Sequence, residues 1–476
     1  MLHLKHRDIN TSNYILQLET IINELRAELK AVHEELAMVK AELVSVKAEN
    51  IVLKERIKEL EQKSTSKNSS LPPSKDITRS GQTKSIRKSS GKKVGGQYKH
   101  KGHNLEFSKS PDVTIPHKID KCQHCNCELT QVEQTEVDRQ QVIDLPPIKA
   151  IITEHIKYQV TCPCCYQIST SIMPIREVKS KVQYGECIRT LVTYLNVRQV
   201  VAKKRLQELL MDVFNISISQ GTIVRIVSES AEKMADKYAQ IKEYIQSSKV
   251  VGADETSCKI AGKNHWLWAY QNDLATYLYV HPTRGMAAIE SHFPDGFQNS
   301  ILVTDRWPAQ LKTKTKAKQI CLQHLIRDAQ KMIDCYKSKW ANKLQKVLYD
   351  IIHLTHLDKI PTCEKVRIED RLRILLSSPL TKCAHKIKTL QQKLIPLQSS
   401  ITTCLYQRGV PPTNNGTEQS VRKMKIKMKI AGTFRSVNGA DAYAVIQSIL
   451  DTAIKQNIKP LDAIRNPNCI FPSIAE

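Results

Sequence analysis

Two aspartates in the second half of the chain each follow a short run of mostly apolar residues. Asp254 comes after residues 250–253 and Asp305 after residues 301–304, and both runs have the β-branched character of buried strands. An acid that ends a core strand is held at the edge of the sheet, where two such acids can share a divalent ion. One strand-end acid alone would be a turn residue or a helix cap, but two in one sheet favour a metal site.

Two carboxylates in this arrangement suit phosphoryl transfer on DNA. One metal ion activates the attacking oxygen and the other supports the leaving oxygen, at a separation of about 4 Å. The ions also offset the repulsion between neighbouring carboxylates, and hard oxygen ligands favour Mg²⁺ or Mn²⁺. Glu255 adjoins Asp254 but points to the opposite face if the strand continues, so it is the substitute candidate.

A third carboxylate must come from further along the chain, and Glu418 is the candidate. It follows a turn-forming segment, residues 411–416, and falls in the first turn of a predicted basic helix. The same position suits an acid that only complements the helix macrodipole, so spacing alone leaves both roles open. The basic residues that follow are candidates for contact with the DNA backbone: Arg422, Lys423, Lys425, Lys427 and Lys429.

Two cysteine pairs predict a structural zinc site. Cys122 and Cys125 form one C-x2-C knuckle, and Cys162 and Cys165 form another. A two-residue gap lets one tight turn present two thiolates to the same ion, so two knuckles supply the four ligands of a zinc ribbon. A redox dithiol is the alternative for either pair taken alone. Three further residues are available as substitute ligands: His124, Cys127 and Cys164.

The composition favours a nucleic-acid partner. The 476 residues include 72 Lys and Arg against 47 Asp and Glu, a net charge of +25, which favours binding to a phosphate backbone through counterion release. We find neither a membrane-spanning apolar run nor a signal peptide, so we expect a cytoplasmic, nucleoid-associated protein of a bacterial-type cell. This length predicts several domains.

The N-terminal segment, residues 1–62, has the pattern of a coiled coil. An unbroken heptad runs from Ile15 to Leu60, and Asn50 is the one polar residue on the two inner positions. Two Asn side chains can hydrogen-bond across a two-stranded seam, so a parallel homodimer is expected. One long amphipathic helix packed on its own protein is the alternative.

The remaining segments differ in composition and in hydrophobic periodicity. Residues 63–110 are a basic linker, 111–182 contain the cysteine knuckles, and 183–248 have helical periodicity. Ser219 is a plausible N-cap in this helical region, which fits a helix-turn-helix and an ordinary bundle equally well. Short strands in residues 249–335 predict an α/β domain. A helical insertion at 336–410 and final helices at 411–476 complete the chain.

Several stretches of the sequence resemble the transposases of insertion sequence 66. The zinc knuckles and the aspartates Asp254 and Asp305 lie where that family has its own. Four motifs carry the rest of the resemblance: Ser69-Ser70-Leu71-Pro72-Pro73-Ser74 with Asp76, Gly95-Gly96-Gln97 through His100-Lys101-Gly102, Cys321-x2-His324-x2-Arg327, and Asn414-Asn415-x2-Glu418.

The resemblance implies an RNase H-like core in which Asp254, Asp305 and Glu418 form an Asp-Asp-Glu triad. The implied reaction is metal-dependent hydrolysis at the transposon end, followed by attack of the freed 3′ hydroxyl on target DNA. Arg327 joins the candidate DNA contacts. The expected protein is therefore a multidomain α+β transposase that binds double-stranded transposon ends and target DNA as a homodimer or higher homo-oligomer.

Two other functions share parts of these features. A zinc-dependent, dimeric DNA-binding protein without catalysis would have the same coiled coil and knuckles. An RNase H-like nuclease without strand transfer would have the same core and differ only in its product. Convergence of the three acids would separate the first of these from a transposase, because DNA binding alone does not require it.

Overall fold

The computed structural model describes residues 2–61, 107–146, 148–172, 182–381 and 383–471. These residues form a mixed α+β protein with many helices and one five-stranded sheet. The predicted linker, residues 63–110, lies outside the described residues except for its last four. None of the helices in the described ranges combines the length and the apolar character that a bilayer crossing requires.

The chain divides into two compact units. The first unit contains Met1–Thr83 and Ser300–Asn414. The second unit contains Lys84–Asn299 and Asn415–Glu476.

Helix α1 (Leu2–Glu61) confirms that the heptad segment is one continuous helix. Its inner heptad positions lie in solvent; Ile22, Leu29 and Leu43, for example, are 47%, 59% and 50% exposed. A contiguous apolar stripe of this size on a surface marks an interaction site. The pairing of α1 with a second helix remains a prediction.

The cysteine-knuckle region contains a small antiparallel sheet. Strand β1 (Gln159–Thr161) pairs with β2 (Ile168–Thr170), and Thr161 faces Ile168. The turn that joins the two strands contains the second knuckle.

The helical region, in the second unit, has its own apolar core. Its helices are α2 (Glu186–Thr193), a π-helical segment (Tyr194–Arg198), α3 (Lys203–Phe214), α4 (Gln220–Lys233) and α5 (Ala235–Ser247). Asn215 ends α3 in the left-handed conformation, and the Ser219 hydroxyl accepts a hydrogen bond from the Thr222 amide at 3.0 Å. The predicted N-cap is therefore confirmed. The core consists of Val192, Leu206, Leu210, Ile218, Ile223 and Ile226.

Three antiparallel strands follow in chain order: β3 (Val250–Ile260), β4 (Lys263–Gln271) and β5 (Thr276–His281). Helix α6 (Met286–Glu290) comes next and is followed by strand β6 (Phe297–Thr304), which contains the predicted strand run 301–304. With β7 (Thr315–Ile320), the strand order is β5–β4–β3–β6–β7.

Strand β3 is longer than the sequence indicated. Asp254 does not end it, because the strand runs on to Ile260 and pairs with β4 along that length. Beyond Asp254, buried Thr256, Cys258 and Ile260 alternate with exposed residues, which is the two-residue period of a half-buried strand. The hairpin turns at Ala261 and Gly262, both with positive φ (47° and 78°), as the tightest hairpin turns require.

The described residues of the first unit form six more α-helices. They are α7 (Pro308–Lys312), α8 (Leu322–Tyr336), α9 (Lys339–Leu354), α10 (Thr362–Ser377), α11 (His385–Leu394) and α12 (Gln398–Tyr406). Of these, α12 packs on β7. Helices α9 to α12 occupy the segment that was predicted to be a helical insertion.

The final helices belong to the second unit: α13 (Asn415–Ala431), α14 (Val437–Lys455) and α15 (Pro460–Arg465). Helix α13 packs on β3 and β4. Just beyond its C-terminal end, Phe434 bonds to the tip of the β3–β4 hairpin: its amide donates to the Lys259 carbonyl, and its carbonyl accepts from the Ala261 amide, both at 2.8 Å.

Candidate active site

Asp254 lies on β3 in the second unit and is half-buried. Its Oδ1 accepts a hydrogen bond from the Glu255 amide at 2.8 Å. In the register of the sheet Asp254 faces Ala269, a small residue that leaves space beside the carboxylate. The carboxylate is thus on a rigid strand with a fixed backbone position.

Glu255 is occupied by an ion pair. Its Oε1 accepts from the Arg284 guanidinium at 2.6 and 2.8 Å, and its side chain is only 4% exposed. The guanidinium also stacks over the Trp266 ring, 4.7 Å from the centroid. Because neighbouring strand residues point to opposite faces, this pair is on the other side of the sheet from the Asp254 side chain. Glu255 is therefore unsuited to replace Asp254 as a metal ligand.

Glu418 is half-buried in the first turn of α13, close to where the sequence predicted a helix start. That turn is anchored to the end of β4. The Gln271 amide donates to the Thr417 hydroxyl at 3.3 Å, and a Cβ at Gly416 would lie 2.7 Å from Gln271 Nε2. Gln271 faces Gly252, two residues before Asp254 on β3. The helix that carries Glu418 is therefore fixed near the segment of β3 that carries Asp254.

Replacing Gly416 tests this anchor. Gly416→Ala should displace the Gln271 side chain and weaken its bond to Thr417. Because the end of that side chain can move and alanine favours a helix over glycine, the free energy of unfolding should change by less than about 1 kcal/mol. DNA cleavage should fall as Glu418 shifts. Thermal melting and a cleavage assay measure the two effects. Gly285→Ala is the control, because a Cβ there meets nothing within 4 Å; equal behaviour of both variants would show that the close contact constrains nothing.

Asp305 directly follows β6 and lies in the first unit, in a cluster of polar side chains. His324 Nε2 is 3.2 Å from Asp305 Oδ2, and the side-chain amide of Asn414 donates to Oδ1 at 3.5 Å. The amide of Cys321 donates to the Thr304 carbonyl at 2.8 Å. The Cys321 sulfur in turn accepts from the backbone N–H of Asn414 at 3.2 Å.

The cluster combines oxygen, sulfur and nitrogen donors. Ligand atoms of Asp305, Cys321 and His324 lie within 4.8 Å of one another, and no other such group of three or more occurs among the described residues. Burial lowers the pKa of His324, but hydrogen bonds to Asp305 and Cys321 outweigh it and raise the pKa to about 10. The imidazole is therefore protonated at neutral pH and donates to the carboxylate when no metal competes for it.

The two cysteine knuckles have the same backbone geometry. In the first, the Cys122 amide donates to the Cys127 carbonyl at 2.9 Å; in the second, the Cys162 amide donates to the Gln167 carbonyl at 2.8 Å. The fifth residue of each, Asn126 or Tyr166, has a positive φ of about 60° (62° and 60°).

This geometry makes the first cysteine of each knuckle a better metal ligand. Backbone N–H groups of His124 and Cys125 lower the pKa of Cys122, and those of Cys165 and Cys164 lower the pKa of Cys162. Zinc binds the thiolate form, so the donors fit the ion. All four thiols are free, but the two pairs do not converge into one four-sulfur group.

The basic residues of α13 divide between two faces. Arg422, Lys425 and Lys429 are exposed, and Lys423 is half-buried. Lys427 is buried and was wrongly included among the surface cations: its ammonium donates to the Asn196 carbonyl at 3.3 Å. Burial, with the nearby charge of Lys203, lowers its pKa to about 8.

Comparison with known families decides what kind of protein carries these residues. The model described as "Transposase IS66 family" matches residues 181–442, more than half of the chain. The chain belongs to the IS66 transposase family. A second model, described as a family of unknown function (DUF6444), matches residues 17–106. No curated protein matches the chain.

As a member of this family, the IS66 transposase moves DNA. This general role requires DNA binding and the breaking and joining of phosphodiester bonds. The matched range contains Asp254, Asp305 and Glu418, whereas the cysteine knuckles precede it. Two contacts at these acids were not anticipated from the sequence. One is the Gln271 anchor of α13, and the other is an ion pair between Arg306 and Asp328 beside Asp305. Neither has a sequence signature, because each depends on distant residues meeting in the fold.

Proposed function

We propose that this transposase cleaves the ends of its own element and joins them to target DNA, with Asp254, Asp305 and Glu418 as ligands for two Mg²⁺ or Mn²⁺ ions. The observation that most supports this is the anchoring of α13 at Gln271, which fixes Glu418 near the Asp254 segment of β3.

The chemistry of the donors fits the proposed ions. Asp254, Asp305 and Glu418 are half-buried, so their carboxylates combine a defined position with access from solvent. They offer hard oxygen ligands, which suit Mg²⁺ and Mn²⁺. When bound, such ions would activate the attacking oxygen and stabilise the leaving oxygen. The protein residues hold the ligands in position, and neighbouring cations orient the phosphate backbone.

A labelled transposon end tests the proposed reaction. With Mg²⁺ or Mn²⁺ the purified protein should nick the end, expose a 3′ hydroxyl and produce a joined product with target DNA; without metal, DNA binding alone should remain. Nicking without joining would favour a nuclease that lacks strand transfer. Binding with no cleavage under any metal condition would favour a zinc-dependent DNA-binding protein.

DNA contact is assigned to basic surfaces of the second unit and to Arg327. The exposed cations of α13 share the helix with Glu418: Arg422 lies one turn after it, and Lys425 and Lys429 lie about 10 and 17 Å along the axis. The helical region at 183–248 is a second candidate, since α3, the turn to Ser219 and α4 form two helices joined by a short turn.

We also propose that the heptad segment forms a parallel homodimer. Residues 15–60 should sediment as a dimer at micromolar concentration, because pairing covers the exposed apolar stripe of α1. Asn50→Leu should raise the melting temperature and broaden the distribution of oligomers, since it replaces the buried amide that fixes the register. Glu34→Gln, on the outward face of the heptad, is the control. A monomeric wild-type segment would contradict the assignment.

A further inference from the structure

The turn that follows β6 holds Asp305 in an unusual backbone setting. Arg306, the next residue, has a φ of 69°, a left-handed conformation that a side chain with a Cβ rarely adopts. Such a conformation persists only where surrounding contacts maintain it. The guanidinium of Arg306 is ion-paired with Asp328 on α8, which is one contact of that kind.

Helix α8 approaches this turn with one face. His324 and Asp328 are four residues apart, so they lie one above the other on the helix surface. His324 reaches Asp305 and Asp328 reaches Arg306, so two consecutive residues of the turn are held by two successive turns of the helix. The start of α8 is itself fixed to the strand, because the Cys321 amide donates to the Thr304 carbonyl.

We propose that α8 positions Asp305 for metal binding, with His324 orienting its carboxylate and Asp328 maintaining the Arg306 backbone. The inference rests on the proposed function, in which Asp305 is a metal ligand. His324 contacts Oδ2 and Asn414 contacts Oδ1, so rotation of the carboxylate breaks at least one hydrogen bond. A ligand must be held to within about half an ångström to form a well-ordered site, and partners behind the ligand provide this.

The roles of His324 and Asp328 are those of positioning residues. A histidine that acts by donating a hydrogen bond can be replaced by a side chain with an N–H in a similar place, whereas a nitrogen ligand of the metal cannot. The left-handed backbone at position 306 can likewise be supplied by glycine without a partner for the side chain.

Mn²⁺ titration of the full-length, zinc-replete protein is the first measurement, by calorimetry or by the spectrum of the free ion. His324→Leu should weaken Mn²⁺ binding by about 10- to 100-fold, the range found for partners of metal ligands. His324→Gln should restore most of the affinity. Asp350→Asn, which breaks the half-buried Asp350–Arg371 ion pair in the same unit, is the control and should leave binding unchanged.

The second measurement tests whether the left-handed backbone conformation of Arg306 is needed for Mn²⁺ binding. Asp328→Asn should weaken Mn²⁺ binding, and adding Arg306→Gly to it should recover part of the loss, because glycine adopts the left-handed conformation unaided. A variant that only loses stability would lower the melting temperature and would not be rescued by glycine. Failure of both rescues, by His324→Gln and by Arg306→Gly, would overturn the positioning role.

Asp305→Asn distinguishes a wrong positioning role for His324 from a wrong assignment of Asp305 as a metal ligand. If it abolishes Mn²⁺ binding while His324→Leu leaves binding unchanged, the positioning role is wrong and the metal assignment stands. If Asp305→Asn itself leaves Mn²⁺ binding unchanged, the metal assignment fails and the positioning role fails with it.

Discussion

Asp254→Asn, Asp305→Asn and Glu418→Gln should each reduce cleavage of a transposon end by about 10³-fold or more, while DNA binding persists. Each change keeps the shape of the side chain and removes the negative charge that would hold a divalent ion. The loss corresponds to several kcal/mol of charge stabilisation in the transition state. Without metal, DNA binding should tighten slightly, because one charge that repels phosphate is gone.

Glu255→Gln provides the comparison for these variants. Its carboxylate is committed to Arg284, so its loss should lower the melting temperature and leave most of the cleavage activity. Cleavage by Glu418→Gln at the wild-type rate would refute the triad, and acids of α9 and α10 would then be tested. A structural role for Glu418 would instead appear as a lower melting temperature with unchanged cleavage per folded molecule.

Purified protein should contain about one zinc ion per chain, and removing it should unfold the knuckle region. Serine in place of Cys122, Cys125, Cys162 or Cys165 should have the same effect, because zinc-binding energy is folding energy in a region with few buried apolar side chains. Metal analysis and proteolysis of residues 111–182 measure the stoichiometry and the unfolding.

Cys187→Ser is the matched control for the zinc variants, since Cys187 is an exposed cysteine outside both knuckles. It should retain the zinc ion and the protease resistance of the wild-type protein. Protein purified without chelator that contains no zinc, or that has disulfide-bonded knuckles, would rule out the site.

Features encoded by neighbouring residues were predictable from the sequence. The 3.5-residue apolar repeat predicted α1, and a serine before an apolar helical pattern predicted the N-cap at Ser219. The turn residues before Glu418 predicted a helix start within a few residues of the observed one. Local hydrogen bonding and side-chain period determine each of these features, so they are visible in a short window.

Features that depend on the sheet and its packing were harder to predict from the sequence. The end of β3 was placed at Asp254 because the apolar run stops there, although alternation continues to Ile260. Lys427 was counted as a surface cation from its charge. Its spacing of three and six residues from Met424 and Val421 places it on the buried stripe of α13, and this pattern is present in the sequence. The ion pair of Glu255 required Arg284, which is 29 residues away.

The attachment of α13 at both ends limits how this protein can change during evolution. The helix is fixed to β4 at Gln271 and, just beyond its last turn, to the hairpin tip through Phe434. Its 17 residues span about 25 Å, close to the length of the nine paired residues of β3. One inserted residue would rotate the part of the helix that follows it by about 100°. The contact at Gln271 and the hydrogen bonds of Phe434 could then not both form. We therefore expect relatives to keep the spacing between Glu418 and Phe434 constant, and to vary in length at surface loops such as the one between α9 and α10.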